Sequence, residues 1–141
     1  DMIVATRETR FGLPEVKRGM LANGGGATRL VRVLPRNVAL ELIATGEPFG
    51  AEFAAGHGMV NRLVEAGDLL ETALGLARSI VGNAPVSVLE SLRLARQVGD
   101  RSDAELRRQS RDRMKVVMAT EDAREGPRAF AEKRPPVWKG R

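Results

Sequence analysis

The stretch Phe11-Gly-Leu-Pro-Glu-Val-Lys-Arg-Gly19 runs directly into Met20-Leu-Ala-Asn-Gly-Gly-Gly-Ala-Thr-Arg-Leu30. It sets one glutamate, Glu15, after a proline, and follows it with a glycine-rich loop that feeds a helix. The ring of Pro14 crowds the residue before it, so Leu13 is expected to be extended. Gly24, Gly25 and Gly26 admit positive φ and close backbone approach. They also leave amide groups free to face a ligand at a helix start. Phe11, Leu13, Val16 and Leu21 surround Glu15 with apolar side chains, which predicts its partial burial. A partly buried carboxyl suits proton transfer. Against this, a glutamate after a proline is more often a solvated loop residue.

Outward from this stretch, the first part of the chain reads as mixed structure. Residues 2–5 form a short apolar run that predicts a buried strand, ended by the polar run 6–10. Residues 27–34 predict a helix with Leu30, Val33 and Leu34 on one face, broken by Pro35. Asn37 is expected to cap a second helix over 38–44, ended by Gly46 and Pro48. Residues 51–57 predict a short helix stopped by Gly58, and the alternation over 59–64 predicts a strand. A boundary is expected near Gly67.

Beyond Gly67 the pattern is helical throughout. Leu70, Ala73, Leu74, Ala77, Ile80 and Val81 fall on one helical stripe. Pro85 sits where a first-turn proline is tolerated, opening a helix to about Val98. Ser102 with Glu105 three residues on is a capping box, and it starts a long helix carrying Leu106, Met114, Val117 and Met118. Thr120 is expected to cap a short turn that Gly126-Pro127 breaks, with helix resuming over 128–134. Residues 135–141 read as an extended basic tail. These helices have little of their own to wrap around, so their apolar stripes are expected to pack on the first part and on another subunit.

Composition narrows the function classes. The chain has 141 residues, no cysteine and one histidine, His57. This excludes a disulfide framework and thiolate chemistry, and makes a histidine metal site untenable; no metal is expected. No apolar run is long enough to span a bilayer and no signal-peptide pattern opens the chain, so the expected setting is cytoplasmic, with no membrane partner. The net charge of +5 favours anionic partners. Its arginines are interleaved with acids, as on a salt-bridged helical surface. A nucleic-acid-binding helical protein is a remote alternative, disfavoured because no helix is solidly basic. The glycine run is neither a phosphate-binding P-loop nor a dinucleotide fingerprint, since the residues and spacing those need are missing. His57 lies in no nucleophilic arrangement and reads as a surface or capping residue. The tail interleaves Phe130 and Trp138 with Lys133, Arg134, Lys139 and Arg141. That pattern suits a nucleotide, through ring stacking and phosphate pairing, and equally suits a tail packed on a neighbouring surface.

Four segments in order resemble the crotonase superfamily, the enoyl-CoA hydratase/isomerase family. FGLPEVKRG at 11–19, with the following GGG-A-T-R-L, is similar to the family's catalytic glutamate segment. TGEPFGAEFAAGHGMVNRLVE at 45–65, APVSVLESLRLAR at 84–96 and TEDAREGPRAFAEKRPPVWKGR at 120–141 resemble its later segments. Any one is weak; the ordered set is specific and covers nearly the whole chain.

The resemblance implies an α/β fold: the C-terminal part of a crotonase-like ββα spiral over residues 1–66, then an all-helical trimerisation region over 67–141. It implies acyl-CoA substrates, with the CoA thioester as substrate and no separate cofactor. The implied reaction is hydration of a 2-enoyl-CoA, or double-bond migration, through an enolate. Glu15 matches the glutamate that acts as general acid toward the α-carbon. Leu13, Asn23 and Gly24 match substrate-lining positions, and Phe130 and Lys133 match positions that approach the adenine and phosphates of CoA on a neighbouring subunit. A homotrimer, or a hexamer built as a dimer of trimers, is implied, and no nucleic-acid partner. The glutamate that activates water and the oxyanion-hole amides would fall before Asp1. By this reading the chain alone has negligible hydratase activity. A truncated, inactive assembly or CoA-binding module is the alternative. Asn23 stands where many hydratases carry glycine, which leaves open which reaction of the family applies.

Overall fold

Proline, glycine and alanine set the architecture more than large side chains do. The computed structural model describes residues 1–141, which fall into two units, Asp1–Gly75 and Leu76–Arg141. In chain order the first unit holds β1 (Val4–Thr6), β2 (Arg10–Phe11), a 3-10 turn (Pro14–Arg18), α1 (Gly26–Val33), α2 (Arg36–Thr45), β3 (Phe49–Gly50), α3 (Ala51–Gly56) and β4 (Arg62–Val64). The division between the units falls inside α4 (Leu69–Val81). The second unit adds α5 (Pro85–Ala95), α6 (Asp103–Met118) and α7 (Asp122–Ala131).

Two small sheets frame the first unit. β1 and β4 are parallel, with Val4 opposite Arg62 and Thr6 opposite Val64. Asn61 fastens the chain start beside them: its Oδ1 accepts from Ile3 N at 2.7 Å, and its own N donates to Ile3 O at 2.8 Å. β2 and β3 are antiparallel, which stacks Phe11 on Phe49 with centroids 5.7 Å apart. The core joins Ala5, Leu30, Leu34, Ala39, Phe49, Ala51, Ala54 and Val60. Ala39, Ala51 and Ala54 are each 0% exposed, so helix backbones approach closely there. Leu30 and Leu34 fall four apart, on one face of α1 and its end. Leu34 precedes Pro35 and is extended, which stops α1.

Several expectations shift. The first strand lies at 4–6 rather than 2–5, and β4 at 62–64 rather than 59–64, because residues 57–61 turn to bring Asn61 onto Ile3. Asn37 does not cap α2. The helix starts at Arg36 after Pro35, with no side-chain cap bond, which leaves Asn37 inside the first turn.

In the second unit the Ser102 box forms as expected. Ser102 Oγ accepts from Glu105 N at 3.4 Å, and Glu105 Oε2 accepts from Ser102 N at 3.0 Å. Glu90, only 7% exposed, joins α5 to α6 by accepting from Arg93 and Arg113, each at 2.6 Å. The expected break at Gly126-Pro127 does not occur, and α7 runs through Pro127. Its first turn is secured instead: Thr120 Oγ1 accepts from Ala123 N at 3.1 Å.

Nor does the tail stand free. Asp122, 3% exposed, accepts from the amides of Lys139 at 2.7 Å and Gly140 at 2.9 Å. Trp138 Nε1 donates to Gly82 O at 2.8 Å, and its ring lies against Gly126. The apolar stripe of α4 stays largely uncovered in this chain, with Leu70 70% exposed.

Candidate active site

Glu15 sits in the 3-10 turn Pro14–Arg18, which ends on Gly19 in the left-handed region at φ 68°. Glu15 O accepts from Met20 N at 3.0 Å, closing the turn. A second glycine fixes the turn from behind. Gly46 ends α2 with φ 64°, and a Cβ there would lie 2.9 Å from Val16 Cγ2 and 3.3 Å from Leu13 O. The turn therefore rests on bare backbone. The Lys17–Glu47 ion pair at 2.6 Å fastens its outer side.

Glu15 is half-buried, and its Oε2 is closed to solvent with no hydrogen-bond partner. Buried carboxylate oxygens are nearly always bonded, so one left open calls for an explanation. The burial does not come from all the neighbours expected: Val16 and Leu21 point to solvent, while Phe11 and Leu13 are half-buried.

Beside the turn lies a cleft of about 550 Å³. Phe11, Leu13, Leu30, Val33, Phe49 and Met59 give it apolar walls, and Gly24, Gly25 and Gly26 form one rim. Gly26 has to be glycine for Leu13 to take its place, because a Cβ would meet Leu13 Cδ2 at 2.5 Å. Asp1, Arg29 and Asn61 add polar groups. Leu13 and Gly24 line the cleft. Glu15 and Asn23 do not line it; Asn23 is exposed in the turn before α1. The sequence pattern assigns no role to Arg29 or Asn61. Arg29 folds back over Gly25, and Asn61 reaches the cleft because it clamps Ile3. The Arg29 contact is local, four residues along, while no local spacing signals that of Asn61.

His57 ends α3, with its Nδ1 2.8 Å from Phe53 O and its ring against Phe53. It is a capping residue, and takes no part in the cleft. Phe130 and Lys133 belong to the second unit. Phe130 is 86% exposed, and Lys133 lies exposed just beyond α7. The other aromatic and basic tail residues are committed internally: Trp138 as described, Arg134 to Glu125, and Lys139 and Arg141 to Glu121. The Arg134 guanidinium and the Val137 amide hold the Glu125 carboxyl well down, at about 2. A groove of about 400 Å³ along α7 is lined by charged residues of that helix and its flanking segments, Glu121, Glu125, Arg134 and Lys139 among them.

The enoyl-CoA hydratase/isomerase family model matches residues 1–141, the whole chain. The chain belongs to the enoyl-CoA hydratase/isomerase family. A carnitinyl-CoA dehydratase from Shigella flexneri is 39% identical over 145 aligned residues, covering 100% of this chain and 56% of the relative. Among solved structures, a probable enoyl-CoA hydratase/isomerase from Mycobacterium abscessus superposes with TM-score 0.95 at 45% identity. An enoyl-CoA hydratase from Mycobacterium tuberculosis superposes with TM-score 0.96 at 40% identity. Each covers 100% of this chain, which spans 56% of that structure. The mixed α/β fold is therefore crotonase-like, as the family resemblance implies. The chain spans just over half the length of these relatives.

Proposed function

We propose that this chain supplies a proton-carrying glutamate and one wall of the acyl cleft to an enzyme acting on acyl-CoA thioesters. The reaction is hydration of a 2-enoyl-CoA. Water adds its hydroxyl to the β-carbon, the π electrons move onto the thioester oxygen as an enolate, and Glu15 delivers a proton to the α-carbon as the enolate collapses. Dehydration is the same path reversed, the direction named for the carnitinyl-CoA dehydratase relative. The observation that carries this reading is the solvent-closed, unpartnered Glu15 Oε2, on a turn fixed by Gly46 next to an apolar cleft. A second carboxylate to activate water and amides to hold the enolate oxygen are required, and we place them outside these 141 residues. Phe130 and Lys133 are proposed to meet the nucleotide end of CoA, and Asn23 to border the acyl site.

The test is loss of crotonyl-CoA absorbance, followed with a protein of full family length that carries this segment. Glu15→Gln is expected to lower the rate by about 100-fold or more, in the range of general acid catalysis, with an unchanged circular dichroism spectrum. A rate within about threefold of the parent removes Glu15 from the chemistry. The 141-residue chain alone is expected to turn over negligibly. Robust turnover by it, abolished by Glu15→Gln, would refute the assignment of the other groups elsewhere.

A second reading, an inactive assembly or CoA-binding module, draws on the exposed apolar side chains Leu70, Leu74 and Val81 of α4 and Met114 and Met118 of α6. The same faces support the proposed homotrimer or dimer of trimers. Sedimentation and coenzyme A binding, measured together with turnover, separate the two readings. No helix is long and apolar enough to cross a membrane; a cytoplasmic setting belongs to the proposal.

A further inference from the structure

Lys133 is the one residue other than glycine with positive φ, at 52°. It lies just past α7, where Lys133 N donates to Phe130 O at 3.2 Å and Arg134 N to Ala129 O at 3.1 Å. Glycine is the usual occupant of that left-handed position, because a Cβ there crowds the backbone. Local strain of this kind persists only where surrounding contacts over-determine it. Here the contacts come from Glu132, whose Oε2 accepts from Arg134 Nε at 2.6 Å, and above all from Glu125. Its carboxylate accepts two bonds from the Arg134 guanidinium, at 2.6 and 2.9 Å, and one from Val137 N at 2.9 Å. Glu125 lies on α7, before Lys133, and both of its partners lie after it. The chain is closed into a ring with Lys133 at the bend. Nearby Arg128, Arg134, Lys139 and Arg141 are all ion-paired, whereas the Lys133 ammonium has neither ion pair nor hydrogen bond. A lysine is therefore kept in a glycine position, with its charge left open, three residues after the exposed Phe130.

We propose that Glu125 and Arg134 are positioning residues, whose ion pair holds Lys133 in its left-handed turn and so aims its ammonium at the phosphates of the CoA thioester. This rests on the acyl-CoA reading above. Binding energy made at the nucleotide end serves catalysis only if the contact is in place when the acyl group is seated. A lysine free to leave the turn would spend that energy on its own ordering.

The test uses a protein of full family length carrying this segment, with two substrates: crotonyl-CoA, and crotonyl-N-acetylcysteamine, which lacks the nucleotide. The readout is the ratio of kcat/KM for the first to that for the second. Glu125→Gln is expected to lower this ratio about 5- to 10-fold, and Lys133→Gly about tenfold. The double variant is expected to match Lys133→Gly alone, since Glu125 acts through Lys133. Arg134→Lys, which keeps the charge but loses the two-pronged bond, is the milder variant should Glu125→Gln not fold, and it too is expected to lower the ratio. A ratio unmoved in these two variants overturns the proposal, because a purely structural role lowers both substrates alike. So does a double variant whose losses multiply. If the parent protein turns over neither thioester, the acyl-CoA reading itself fails, an outcome distinct from the other two.

Discussion

Replacing Gly46 by alanine tests whether a bare backbone at the end of α2 sets the place of Glu15. At φ 64° a residue with a Cβ costs about 1–2 kcal/mol. The added methyl would also stand 2.9 Å from Val16 Cγ2, 3.2 Å from Lys17 Cγ and 3.3 Å from Leu13 O. Overpacking of that kind costs about 1–3 kcal/mol. The sum is a loss of roughly 2–5 kcal/mol, read as a lower urea midpoint at unchanged slope. Val16→Ala removes the 2.9 Å contact but not the backbone cost. The double variant Val16→Ala/Gly46→Ala is therefore expected to recover about 1 kcal/mol relative to the sum of the single changes. In a family-length protein, Gly46→Ala should also lower turnover, because a 1 Å displacement of a reacting group can cost about 100-fold. Stability within about 0.5 kcal/mol of the parent, or no recovery in the double variant, refutes the reasoning.

Other outcomes follow from individual contacts. Ser102→Ala removes the cap of α6 and should lower stability by about 1 kcal/mol in urea unfolding. Leu34→Ala empties a site that is 4% exposed and should cost about 2–5 kcal/mol by the same measurement. Gly126→Ala should be neutral or stabilising by up to about 1 kcal/mol in thermal melts, since its Cβ would meet the Trp138 ring at an ordinary 3.4 Å and alanine favours helix. The Glu125 carboxyl is lowered from 4.5 to about 2 in the folded chain. Its stabilising contribution is thus complete above the unfolded value and is lost as pH falls through that window. Melting temperatures between pH 5 and pH 2 should fall less steeply in Glu125→Gln than in the parent.

Much of this is legible in the sequence where the deciding contacts are local. The Ser102–Glu105 box spans three residues, α1 is written in Leu30 and Leu34, and Pro14 announces the turn that carries Glu15. The misses share a different cause. β2 and β3 are two residues each, too short to show a period, and Phe49 finds Phe11 only through the fold. The tail reads as an extended basic segment packed on a nucleotide or a neighbouring surface because its own anchors are remote: Asp122 holds Lys139 and Gly140 from 17 and 18 residues away, and Gly82 holds Trp138 from 56. Pro127 is expected to break α7, and the anchoring of that helix at Thr120, Asp122 and Glu125 outweighs the one backbone bond the proline removes. In the candidate site, family likeness points to Glu15, Leu13, Asn23 and Gly24, of which Leu13 and Gly24 line the cleft. Arg29 follows the glycine rim by three residues and folds over Gly25, whereas Asn61 reaches the cleft only by clamping Ile3 from 58 residues away.

The parallel pairing of β1 with β4 also governs how the first unit can assemble. Asn61 meets Ile3 across 58 residues, and the whole run from β2 to α3 lies between them. Closing so long a loop is entropically unfavourable until the intervening elements have condensed. Until β4 is in register, the β1 backbone lacks the partners that Arg62, Leu63 and Val64 supply, and an unpaired strand edge is a template for any other strand.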